Sequence, residues 1–99
     1  MRHWSSIAVA LGVLSGLLSF GAFAAAADGE ALYRQHCSEC HGPGRLGAMG
    51  PALLPENLVR LRKPAAVTTI KQGRAATQMP PFAEKLNDAE IDRLVAYIY

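Results

Sequence analysis

The sequence predicts an all-α domain behind a short apolar leader. Three observations support this: apolar residues recur at helical spacing near both ends of residues 28–99, a capping box precedes the last such run, and no period-two alternation of useful length occurs. The expected skeleton is helical at both ends with a loop-rich middle, and it contains no internal repeat and no low-complexity tract.

Residues 1–27 read as a secretory signal. Arg2 supplies the positive start, Ile7 to Phe23 is an uncharged run, and Ala22-Phe23-Ala24 with the following alanines offers small-residue cleavage sites between Ala24 and Ala27. The alternative is an uncleaved anchor, because Ile7 to Ala27 spans 21 residues and would just cross a bilayer. Both readings put the rest of the chain outside the cytoplasm, in the periplasm, and give it a membrane association only if the leader is retained.

From residue 28 the elements follow in order. Asp28 is a good N-cap and Glu30 suits the positive helix terminus. Gly29, Leu32, Tyr33, His36 and Cys37 keep i, i+3, i+4 spacing, so the first helix is expected to run to about Cys40, where Gly42-Pro43-Gly44 breaks it. Residues 42–55 hold four glycines and three prolines and form a loop. A short helical turn is expected around Pro55 to Leu61. Pro64 to Gln72 reads as a helix with proline in its first turn and Gly73 just past its end, although the β-branched run Val67-Thr68-Thr69-Ile70 would also suit a strand. In the last element Asn87 caps, Glu90 completes a capping box, Leu86 can staple to Ile91, and Ile91, Leu94, Val95 and Ile98 form one stripe.

Composition limits what such a skeleton can be. Of the 50 apolar residues, 18 lie in positions 1–27, leaving 32 among the other 72. The aromatics that remain are Tyr33, Phe82, Tyr97 and Tyr99. A chain of about 70 residues rarely buries enough apolar surface to fold without a disulfide, a metal or a large cofactor. A multidomain enzyme is excluded on size. Nine basic against eight acidic groups beyond Arg2 give no reason to expect nucleic acid as a partner.

Cys37-Ser38-Glu39-Cys40-His41 supplies the missing mass. C-x-x-C-H is the attachment signature of c-type haem: one helical turn between the sulfurs lets both reach one porphyrin edge, and the adjacent His41 can turn its imidazole onto iron. Three other readings compete. A Cys37–Cys40 disulfide would close a very small loop and stabilise little. A thioredoxin-like pair lacks a βαβ setting. A zinc site would need His36, Cys37, Cys40 and His41 from one six-residue run, whereas structural zinc usually draws on two separated pairs. One covalent haem, held through Cys37 and Cys40, is therefore expected. Met79, in Gln78-Met79-Pro80-Pro81-Phe82, lies 38 residues after His41 and is the candidate sixth ligand. A thioether there would raise the reduction potential, and the prolines would hold it at low ordering cost. The plain alternative is a core methionine. Met49 is the rival ligand, but it sits only eight residues from His41, a short tether for reaching the opposite face.

The leader, C-x-x-C-H, Gly50-Pro51, Met79-Pro80 and the terminal amphipathic helix together resemble a class I cytochrome c across essentially all of residues 28–99. The resemblance implies first and last helices crossing over one haem, with Gly29 and Tyr33 meeting Leu94 and Tyr97. It also implies that the Pro51 carbonyl accepts the Nδ1–H of His41 and so orients the ring. A narrower likeness rests on residues 49–58 and on Gly73-Arg74-Ala75-Ala76-Thr77-Gln78-Met79-Pro80. These stretches are similar to the small monohaem cytochromes encoded with cytochrome cd1 nitrite reductase, and to haem c domains of haem d1 proteins. It implies transient redox partners, with the nitrite reductase among the candidates.

The expected role is single-electron transfer by a monomer, with metal ligands His41 and Met79, no catalytic residues, and no open iron site. Two alternatives stand beside it: an accessory role in haem d1 maturation, and a haem enzyme or gas binder in which Met79 is off the iron. Arg60, Arg62, Lys63, Lys71 and Arg74 form a basic cluster that could meet haem propionates, steer an acidic partner, or simply face water. Ala48, Met49, Pro80 and Pro81 could form a dry docking rim. His36 is expected beside the haem edge or exposed, and Tyr33, Tyr97 and Phe82 in packing.

Overall fold

The computed structural model describes residues 28–99 together with Gly12 and Gly16. The leader and its cleavage sites lie outside the described residues. The elements are α1 (Gly29–His36), α2 (Ser38–His41), a 3-10 turn (Pro55–Asn57), α3 (Lys63–Gln72) and α4 (Asp88–Ile98). Among the described residues there is no strand, and no helix is long and apolar enough to cross a membrane.

Asp28 starts α1 as expected, its carboxylate accepting the Ala31 N–H at 2.7 Å. The first helix does not run unbroken to Cys40. It stops at Cys37, whose φ of −119° leaves helical geometry, and restarts as the single turn α2. That turn is closed by Cys40 and His41 N–H groups donating to the Cys37 carbonyl at 3.2 and 2.9 Å. The break separates the helix that builds the core from the turn that carries the motif.

For residues 67–70 the helical reading holds. Thr68 and Thr69 direct their hydroxyls to the carbonyls of Pro64 and Ala65, at 3.2 and 2.9 Å, a bond available to threonine only in a helix. The helix begins one residue earlier than expected, with Arg62 as N-cap and Pro64 in the first turn. Before α4 the capping box is complete: Asn87 Oδ1 accepts the Glu90 N–H at 2.8 Å and Glu90 Oε1 accepts the Asn87 N–H at 3.0 Å.

Helix α1 packs on α4, and α4 on α3. The approach of α1 to α4 is set at Gly29, where a Cβ would overlap the Arg93 carbonyl oxygen and stand 2.8 Å from Tyr97 Cβ. Tyr33 and Tyr97 meet one turn further on at a tilt of 51°, with ring centroids 5.5 Å apart. The core is Leu32, Tyr33, Leu86, Ile91, Leu94 and Val95, closed on the α3 side by Leu58, Ala66 and Ile70. Tyr33 is fully buried and donates its hydroxyl to the Gly42 carbonyl at 2.6 Å. Burial lifts its pKa above the ordinary phenol value, and the Cys37 thiol adds to this.

Long ties hold the glycine-rich loop. Arg45, at φ +63°, donates to the Tyr97 carbonyl at 3.1 Å and lays its guanidinium 4.9 Å from the Tyr97 ring centre. The Tyr99 hydroxyl donates to the Leu61 carbonyl, which joins the C-terminus to the segment before α3.

Candidate haem site

Between α1–α2, the glycine-rich loop, α3 and residues 74–79 lies a cavity of about 370 Å³. That is within the roughly 300–1,000 Å³ of small-molecule sites. Its floor is core: Tyr33, Leu58, Ile70, Leu94 and Ile98 all reach it. Cys37, Cys40, His41 and Met79 open onto it, and all four also border a second groove, beside His36, Pro80, Phe82 and Lys85.

Both cysteines are free thiols. Burial pushes the Cys37 thiol up to about 11, with the neighbouring Cys40 adding to the effect. Reactive redox cysteines sit at depressed pKa values, so Cys37 is a neutral group at pH 7 and a poor redox nucleophile. An uncharged sulfur at the edge of an apolar cavity suits thioether formation. Among the described residues no three metal-ligating side chains cluster, which leaves the zinc reading without a site.

His41 Nδ1 lies 2.7 Å from the Pro51 carbonyl oxygen. A carbonyl only accepts, so Nδ1 carries the proton and Nε2 keeps a lone pair for a metal. Loop hydrogen bonds deliver Pro51 there: Gly50 N–H to Cys40 carbonyl at 2.7 Å, Gly47 N–H to His41 carbonyl at 2.8 Å, and Leu53 N–H to Arg45 carbonyl at 2.8 Å. The loop thus folds back under the motif it follows.

Both candidate methionines reach the cavity, but in different settings. Met49 is 77% exposed, whereas Met79 is half-buried and packed against the core. The basic cluster does not act as one patch. Lys71 pairs with Asp88 at 2.8 Å and Lys63 lies over the Tyr99 ring, while Arg74 lines the cavity beside Thr77 and Gln78. His36 meets the Phe82 ring edge-on at 6.1 Å. Arg45, Tyr99 and Thr77, which organise the surrounding loops, carry no sequence signal: each donates to a backbone carbonyl.

These residues fit a haem c: two free thiols, an oriented imidazole, a thioether and an apolar floor, with polar side chains gathered at 74–78 where carboxylates would be welcome. Such a fold and site define a small class I c-type cytochrome. Residues 24–98 match the family described as "Cytochrome C oxidase, cbb3-type, subunit III", and the chain belongs to that family of c-type cytochromes. It is 58% identical over 93 residues to the dihydro-heme d1 dehydrogenase of Pseudomonas aeruginosa, covering 94% of this chain and 18% of that protein. It is 40% identical over 68 residues to cytochrome c55X of the same organism, covering 65% of this chain and 57% of the relative. The chain thus spans under a fifth of the first relative and little more than half of the second. Among solved structures it is similar to the c-type cytochrome NirC, with TM-score 0.66 and 37% identity over 71% of this chain and 82% of the other. The family is one of covalently haem-binding, electron-transporting proteins.

Proposed function

We propose that residues 28–99 form one domain that carries a single haem c bound through Cys37 and Cys40, with His41 and Met79 on opposite sides of the iron, and that it passes single electrons in the periplasm. The observation that carries this reading is the convergence of two free thiols, the Pro51-held imidazole and Met79 on one apolar cavity. When bound, the haem supplies a one-electron couple. The chain's own part is to hold the imidazole by Pro51, present the thioether, keep water from the buried face and raise the potential through methionine ligation. With His41 and Met79 both serving the iron, no site would be left for substrate, which favours transfer over catalysis. The leader reading gives the location, with cleavage between Ala24 and Ala27.

Two settings suit this role. The likeness to cytochrome c55X supports a carrier serving a cytochrome cd1 nitrite reductase, docked transiently as a monomer. The higher identity to dihydro-heme d1 dehydrogenase supports a second reading, an accessory role in which the electron supports haem d1 maturation.

Protein matured in a host that assembles c-type cytochromes tests the haem assignment. The purified chain should weigh one haem more than the polypeptide, show the far-red methionine–iron band when ferric, and bind carbon monoxide weakly when ferrous. Met79→Ala should lose the band and bind carbon monoxide readily. A colourless product, or a band that survives Met79→Ala, refutes it. A deletion strain separates the two roles, since a maturation role predicts nitrite reductase lacking haem d1.

A further inference from the structure

The segment that brings Met79 to the cavity has an unusual shortage of backbone donors. In Met79-Pro80-Pro81 the prolines have none, so the Met79 N–H is the only one. It donates to Thr77 Oγ at 3.2 Å. The same hydroxyl donates to the Arg74 carbonyl at 2.8 Å, a carbonyl that also accepts the Thr77 N–H at 3.2 Å. One O–H group therefore uses its single proton on the turn and a lone pair on the methionine.

The turn between them is held under tension. Residues 74–77 close by the Arg74–Thr77 backbone bond, with Ala76 at φ +60°, the left-handed region that a residue with a side chain rarely adopts. Such a conformation persists only when its flanks are fixed. On one flank Gly73, at φ +68°, has no side chain, and a Cβ there would stand 2.6 Å from the Met79 carbonyl oxygen and 2.8 Å from Pro81 N. The Arg74 N–H reaches that Met79 carbonyl at 3.3 Å, and Phe82 and Ala83 N–H groups close the end of α3 on Ile70 and Lys71 carbonyls at 3.0 and 3.2 Å. On the other flank stands Thr77 alone.

We propose that Thr77 is the positioning residue of the methionine arm, its hydroxyl locking Met79 in the pose that faces the cavity. The proposal rests on the reading of Met79 as an iron ligand. Without the hydroxyl, the 74–77 turn relaxes and the thioether leaves iron more readily, so outside ligands compete better.

The test uses the matured holoprotein and added imidazole as the competing ligand. Thr77→Val keeps the shape and removes both bonds; Thr77→Ser keeps the hydroxyl. Ferric Thr77→Val should bind imidazole roughly tenfold more tightly than the parent, the equivalent of about 1.4 kcal/mol, and its far-red band should weaken. Thr77→Ser should stay within about twofold of the parent, since both hydrogen bonds of the hydroxyl survive. A purely structural threonine would lower the guanidinium midpoint of Thr77→Val and leave imidazole affinity unchanged. That result, with a Met79→Ala protein that has lost its band, overturns the clasp alone. A band retained in Met79→Ala overturns the ligand reading and the clasp with it.

Discussion

Replacing Gly29 by alanine sets two effects against each other. Alanine in a helix gains up to about 1 kcal/mol over glycine by lowering the entropy of the unfolded chain. Against this, the new methyl group overlaps the Arg93 carbonyl oxygen and comes 2.8 Å from Tyr97 Cβ. Neither is the tip of a flexible side chain, so relief requires α1 to move off α4. That would loosen Leu32 and Tyr33 from Ile91 and Leu94, all buried at the junction. Overpacking of this kind costs about 1–3 kcal/mol, and with two rigid neighbours the upper half of that range applies. The net loss is about 2 kcal/mol, and at roughly 4–8 °C per kcal/mol for a domain of this size the melting temperature should fall by about 8–16 °C. Thermal and guanidinium denaturation of the holoprotein measure it. Gly44→Ala is the control: its Cβ would meet only the Leu46 side chain, at 3.9 Å, and should shift stability by no more than about 0.5 kcal/mol. Equal stabilities for the two variants would refute the close approach of α1 and α4 as the determinant of this fold.

Three further perturbations probe the parts around the cavity. Tyr33→Phe leaves the Gly42 carbonyl with only the Arg45 N–H, at 3.1 Å, and should cost about 0.5–1.5 kcal/mol at neutral pH. Because the fold raises the Tyr33 pKa, its contribution is complete below the ordinary phenol value of about 10 and is lost as pH rises past it; the parent should therefore show an alkaline fall in stability that Tyr33→Phe flattens. Arg45→Met should cost about 1–2 kcal/mol and speed amide exchange in residues 42–53, as the loop loses its tie to the Tyr97 carbonyl and ring; unchanged exchange would mean the loop holds itself. Cys37→Ser with Cys40→Ser should yield a chain with helical far-ultraviolet but weak near-ultraviolet dichroism, since a cavity of about 370 Å³ would lie at the centre of its core. A cooperative, haem-free double variant would show that the polypeptide packs without its filling.

Much of the candidate site was legible because its parts are local in sequence. The C-x-x-C-H run, the proline-fixed Met-Pro-Pro segment and the Asn87–Glu90 box each lie within a few residues, where spacing maps directly onto a helical turn or a fixed φ. The break at Cys37 was not legible. Helical periodicity continues through Gly29, Tyr33, His36 and Cys37, and the chain departs from it where the motif turns toward the loop. The choice between strand and helix at residues 67–70 was open for the same reason: β-branched propensity is weak, and packing of Ala66 and Ile70 into the core decides it.

The basic cluster makes the distinction clearest. Five cations lie close in sequence, but the fold gives Lys71 to Asp88, lays Lys63 over Tyr99 and brings Arg74 to the cavity. Arg45 meets Tyr97 across 52 residues, and the Tyr99 hydroxyl meets Leu61 across 38. Amino-acid order by itself determined the chemistry on offer, which thiols, imidazole and thioether are present and on what local geometry, because covalent spacing and backbone sterics act over one or two turns. Only the tertiary structure decided which groups meet. Contacts between distant segments follow from how apolar faces pack together, and a backbone carbonyl, the commonest partner here, is the same atom at every position in the chain.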